Sequence, residues 1–82
     1  MVKIKSCKVK NASAWILDNN RIIVEHYGTK IAEYSRNVLK VYKGNFGSIT
    51  ASDARAIMQA TGLTITRKNG DVQCLGAKLE RF

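Results

Sequence analysis

The sequence predicts an α+β fold: a small antiparallel sheet of about four to six strands with one helix (about residues 51–61) packed on one face, in the order β-β-β-β-α-β-β. Three observations carry this. Short apolar runs rich in β-branched residues are separated by Asn, Asp and Gly breaks through the first half of the chain. Residues 51–61 repeat their apolar side chains at helical spacing. Beyond them, Lys68-Asn69-Gly70-Asp71 stands between two alternating runs, and Asn-Gly in that setting is the strongest short hairpin signal. The 82 residues fit one domain, 1–82.

The elements follow in order. Residues 2–9 read as a strand in which Lys3, Lys5, Lys8 and Lys10 alternate with Val2, Ile4, Cys7 and Val9. The apolar phase shifts between Ile4 and Cys7, which predicts a bulge near Ser6. Asn11 starts a break, and residues 13–17 form a second apolar run. Its Trp15 reads as core, because a small chain needs the volume of its one large ring. Asp18-Asn19-Asn20 is turn chemistry. Arg21 to His26 returns as a strand, and Gly28 marks the next turn. Residues 30–43 admit two readings. As a helix, Ile31, Tyr34, Val38 and Tyr42 roughly share a face. As a hairpin, Lys30–Ser35 and Val38–Lys43 flank a turn at Arg36-Asn37. The hairpin is preferred, because Asn37 suits a turn and Val38, Val41 and Tyr42 suit strands. Thr50 or Ser52 caps the helix, with Asp53 in its first turn. Ala51, Ala54, Ile57, Met58 and Thr61 line one stripe, and Gly62 stands at the C-terminal stop. Leu63–Arg67 and Val72–Leu75 make the hairpin, and Ala77–Phe82 is a last strand available to close the sheet.

Composition narrows the function. There are 14 Lys and Arg against 6 Asp and Glu, a net charge of +8. A field of that sign attracts polyanions and speeds their encounter. The 45% hydrophobic content is that of a globular protein. No run approaches the ~20 apolar residues of a membrane span, so a soluble, cytoplasmic protein with no membrane partner is expected. Cys7 and Cys74 read as two reduced, mostly buried thiols, a disulfide being the less favoured alternative. Two cysteines and one histidine fall short of a usual zinc site, and no cofactor is expected.

Four kinds of constellation bear on chemistry. His26 stands beside Glu25, but strand neighbours point to opposite faces, so a structural or solvent-facing histidine is favoured over an acid–base pair. The serines lack a nucleophile elbow, and Cys7, although flanked by lysines, has no histidine to pair with; no enzyme is expected. Gly44-Asn45-Phe46-Gly47-Ser48 precedes a helix start, where anions bind, and Lys43 flanks it; it reads first as a flexible connection. On the hairpin reading, Lys30 and Tyr34 point one way on one strand, and Lys40 and Tyr42 point one way on the next. If these share the face away from the helix, rings interleaved with cations suit stacking on bases and neutralising phosphates. The alternative makes both tyrosines half-buried sheet residues. Lys3, Lys5, Lys8 and Lys10 either contact a polyanion or protect a sheet edge from pairing.

Tyr27-Gly28-Thr29-Lys30-Ile31-Ala32, a strand ending near Tyr42, and Ser48-Ile49-Thr50-Ala51-Ser52 opening the helix resemble a family of short uncharacterised phage and mobile-element proteins. That family has a Tyr-x-Thr-x-Ile-Ala strand, a second strand and a Ser-x-Thr-Thr-Ser helix start. The resemblance covers residues 22–58. Ala51 replaces the second threonine, and Asp53 stands where basic residues usually follow the serine, with Arg55 after it. The family has no established activity, so it implies no site residues. It implies strands over residues 30–43 and a phage or mobile-element origin. The expectation is a small basic binding module that contacts nucleic acid or a nucleoprotein through Lys3, Lys5, Lys8, Lys10, Lys30, Tyr34, Lys40, Tyr42 and Lys43. The alternative is a phage counter-defence protein, for example an inhibitor of a CRISPR nuclease, that binds a host protein.

Overall fold

The computed structural model describes residues 1–42, 49–68 and 71–81. The fold is α+β. Five strands precede the helix: β1 (Val2–Lys3), β2 (Ala12–Ile16), β3 (Ile22–His26), β4 (Thr29–Ser35) and β5 (Val38–Val41). The helix α1 (Ala51–Thr61) and three strands follow: β6 (Thr64–Lys68), β7 (Asp71–Leu75) and β8 (Lys78–Arg81). Six strands form one sheet in the order β1-β2-β3-β4-β5-β8, while β6 and β7 pair as a separate hairpin. The expected turn at Asn69-Gly70, the expected connection over residues 44–48, Lys43 and Phe82 lie outside the described residues.

Tight turns make the central meander. Both residues of the β3–β4 loop, Tyr27 (φ 54°) and Gly28 (φ 77°), are left-handed, as are Arg36 (φ 50°) and Asn37 (φ 63°) between β4 and β5. Left-handed pairs of this kind match the right-handed twist of the strands they join, so the hairpin reading holds over the described residues 30–42. The sheet is mixed rather than purely antiparallel, because β8 runs parallel to β5. The chain leaves β5, crosses one face as α1 and the β6–β7 hairpin, and so returns beside β5 in the same direction. The amide of Lys78 donates to the carbonyl of Asn37 at 2.8 Å where β8 joins.

The first predicted strand is much shorter than residues 2–9. Val2 and Lys3 pair with β2, and the Ile4 amide adds one more bond, to the Ala14 carbonyl at 2.8 Å. The chain then turns at Lys5-Ser6, and residues 6–10 leave the sheet to lie along α1. Ser6 Oγ donates to the Gln59 carbonyl at 2.7 Å, and the Lys8 amide donates to Gln59 Oε1 at 2.7 Å. Cys7 and Val9 enter the core while Lys5, Lys8 and Lys10 face solvent. The alternation is real, but it records a turn-rich segment packed on a helix rather than a paired strand: the chain turns at Lys5-Ser6 and again at Lys10-Asn11, and between the turns Cys7 and Val9 reach the core.

The helix is built as its sequence demands at both ends. Thr50 Oγ1 accepts from the Asp53 amide at 3.1 Å, and Asp53 Oδ2 accepts from the Thr50 amide at 3.0 Å, a reciprocal capping box. Gly62, at φ 77°, closes the other end. The buried face is Asp53, Ala54, Ala56, Ile57 and Ala60, whereas Ala51 is exposed and Met58 and Thr61 are half-buried. The expected stripe was therefore rotated, because Asp53 is polar by type yet turns inward. This inner face is mostly alanine, which lets the helix lie close to the sheet.

Cross-strand register assigns the two faces of the sheet. Ala14, Val24, Ala32 and Val41 stand opposite one another in a row, all at most 4% exposed, and α1 packs on that side. The other face carries the row Lys3, Trp15, Ile23, Glu33, Lys40 and Glu80. A β-bulge between Val24 and Glu25 leaves Ile31 as the extra residue of β4. It shifts the phase of that strand by one residue. Among the described residues, no helix is long and apolar enough to cross a membrane.

Candidate functional site

The bulge decides which of the expected site residues meet. Lys30, before the bulge, falls on the same face as Glu33, Lys40 and Tyr42. Tyr34 falls on the helix side, opposite Leu39 and Ile22, where it packs against the core with its hydroxyl 3.5 Å from Asn37 Oδ1. The expected face of two tyrosines and two lysines is thus corrected to Lys30, Lys40 and Tyr42 without Tyr34. Period-two counting fails here because a bulge breaks the period, and Ile31-Ala32, both buried, give no sign of it in sequence.

Trp15 also lies on this open face rather than in the helix-side core, as its register with Lys3 and Ile23 requires. Lys3 Nζ stands 5.9 Å from the Trp15 ring centroid, and Lys30 Nζ stands 4.6 Å over the Tyr42 ring. Between them Glu33 is 4% exposed. Arg21 donates to Glu33 Oε2 through Nε at 2.8 Å and again through its terminal nitrogen, and Lys30 Nζ reaches Oε1 at 3.2 Å. Burial pushes the Glu33 carboxyl up, but the hydrogen bonds and charges of Arg21 and Lys30 outweigh it and hold its pKa below the ordinary value. Glu25 and Glu80 also stand on this side, so with Glu33 three carboxylates offset part of the charge of Lys3, Arg21, Lys30, Lys40 and Lys78.

A second group of cations lies on the helix side, where it has fewer carboxylates to meet. Lys5, Lys8 and Lys10 are exposed along α1, and Arg55 is exposed one helical turn before Gln59, the residue that holds Ser6 and Lys8. The described carboxylate on this side, Asp53, is 1% exposed. The predicted lysine group is thereby divided, Lys3 to the open sheet face and the other three to the helix side.

One buried contact organises the end of this ridge. His26 Nδ1 lies 2.5 Å from Asp53 Oδ1, and His26 Nε2 lies 3.3 Å from the Lys10 carbonyl. Both ring nitrogens face protein acceptors, so β3, α1 and the lysine segment are tied at a single imidazole. The Tyr27 ring stacks on it, with centroids 4.5 Å apart and planes inclined by 29°. No known protein family, curated protein or solved structure matches this chain. Its chemistry is therefore read from its own residues.

Sequence reasoning missed the His26–Asp53 pair and Tyr27. Thr50-x-x-Asp53 was a legible cap, but nothing in the sequence joins His26 to a residue 27 positions away. Tyr27 did carry a signal: it precedes Gly28 in a two-residue turn, where Asn is usual. Cys7 and Cys74 are free thiols, and burial pushes both up in pKa. Among the described residues, no three His, Cys, Asp or Glu side chains are grouped to hold a metal.

Proposed function

We propose that this chain is a small basic module that acts by binding nucleic acid, carried by a phage or mobile element and working in the host cytoplasm. Its phosphate-directed contacts come from Lys5, Lys8, Lys10 and Arg55. The observation that carries the reading is the side of the molecule where these four cations stand exposed while its described carboxylate, Asp53, is buried and tied to His26. The hydrogen bonds to Gln59 and His26 fix the backbone that bears the lysines. The backbone at Lys8 and Lys10 is thus held before any ligand arrives, which lowers the backbone part of the ordering cost on binding. Both nitrogens of the one histidine are engaged by protein acceptors, which favours a binding role over acid–base chemistry.

The test is binding to nucleic acid across a salt series. Affinity should fall by ~0.7–0.9 log units per log unit of salt for each phosphate neutralised. Replacing Lys5, Lys8 and Lys10 together with alanine should reduce that slope by about 2–3 and leave the fold intact. Absence of binding at low salt would overturn the proposal and favour a protein partner.

A further inference from the structure

Tyr27 is the most exposed of the large apolar side chains among the described residues, at 74%. It occupies the first position of the β3–β4 turn with φ 54°, a left-handed backbone that a bulky L-residue seldom adopts. Arg36 takes the equivalent place in the next turn, so the backbone alone does not single Tyr27 out. The ring does. One of its faces lies on the His26 imidazole, and that imidazole is held from both edges by Asp53 and the Lys10 carbonyl. The residue is otherwise largely open to solvent, 74% exposed in all. The Tyr27 amide also donates to the Asn11 carbonyl at 2.8 Å, which places the turn directly against the end of the lysine segment.

An exposed aromatic ring on a turn has no role in the core. An oriented ring at the end of a row of lysines has the parts of a stacking platform. We propose that Tyr27 stacks on an unpaired base of a single-stranded nucleic acid whose flanking phosphates are met by Lys10 and Lys8. The resulting stack is imidazole, phenol and base in sequence. A duplex keeps its base faces within its own stack, so only a single strand, a loop or a frayed end offers a free face. The inference rests on the phosphate-binding reading above and adds the state of the strand.

The experiment measures affinity by fluorescence anisotropy at one moderate salt concentration. The probes are labelled thymidine and uridine oligomers of about ten nucleotides and a duplex of similar length. The proteins are the wild type, Tyr27→Phe, Tyr27→Ala and Tyr27→Asn. Asparagine suits the left-handed turn and keeps the fold while removing the ring. The wild type should prefer the single strands. Tyr27→Phe should match it. Tyr27→Ala and Tyr27→Asn should lose about 5- to 140-fold for single strands, with duplex affinity unchanged. A preference for thymidine or for uridine identifies DNA or RNA as the better ligand. Single-strand binding by Tyr27→Asn as tight as that of the wild type overturns the stacking role alone. Failure of the wild type to bind any of the three probes overturns the phosphate-binding reading and this inference with it.

Discussion

At the scale of the residue, Glu33 shows how a buried charge is tolerated. Its carboxylate is 4% exposed, yet Arg21 and Lys30 supply hydrogen bonds to both oxygens. A carboxyl whose pKa is lower in the folded protein than in the unfolded chain contributes fully above the ordinary value of about 4.3. That contribution is lost as pH falls through the lower folded value. Urea titrations at neutral pH and at about pH 3 should therefore show the wild type losing more stability on acidification than Glu33→Gln. At neutral pH the substitution should cost about 1–3 kcal/mol. The lower end is expected, because the side chains of Arg21 and Lys30 remain 40% exposed and are screened by water. Equal acid losses in both proteins would remove Glu33 from the account. The sequence identified Lys30 as a site candidate and overlooked Glu33, since a glutamate inside an alternating strand looks like any solvent-facing residue.

At the scale of the element, α1 is where composition and packing agree most closely. Its termini were legible because capping is local chemistry, carried by Thr50, Asp53 and Gly62. Its facing was not, because Ala51 and Ala56 are equally apolar in sequence and the inward-turned Asp53 meets a partner, His26, that no local pattern reveals. The buried face gives graded expectations for thermal melts. Ile57, 1% exposed, should cost about 2–5 kcal/mol when cut to alanine. Met58→Ala should cost less, as Met58 is only half-buried, and Arg55→Ala should stay within about 0.5 kcal/mol. Ala56, fully buried beside the Cys7 thiol, should resist enlargement, with Ala56→Leu destabilising by about 1–3 kcal/mol. A tolerated leucine at position 56 would mean that the helix stands farther from the N-terminal segment than described.

At the scale of the whole molecule, the short strands β1 and β8 border opposite edges of one sheet. The meander between them was legible, since each turn declares itself within a few residues. The parallel pairing of β5 with β8 was not, because register between strands separated by a helix and a hairpin leaves no local trace. Leu79, half-buried, stands opposite the fully buried Leu39 and fastens β8 in place. Leu79→Ser should accelerate hydrogen exchange at the β5 amides while the β2–β3 pair stays protected. Uniform acceleration throughout would show that the sheet opens as one unit. The tie at His26 has a different consequence. If the chain binds a polyanion as proposed, the site that includes Lys8 and Lys10 is complete only while residues 6–10 lie against α1. Each fraying of that segment subtracts from the competent population, and the apparent affinity falls by the same fraction. On that proposal a bound strand would hold the segment shut, and the Lys8 amide, which donates to Gln59, would report occupancy at a distance from the charges themselves.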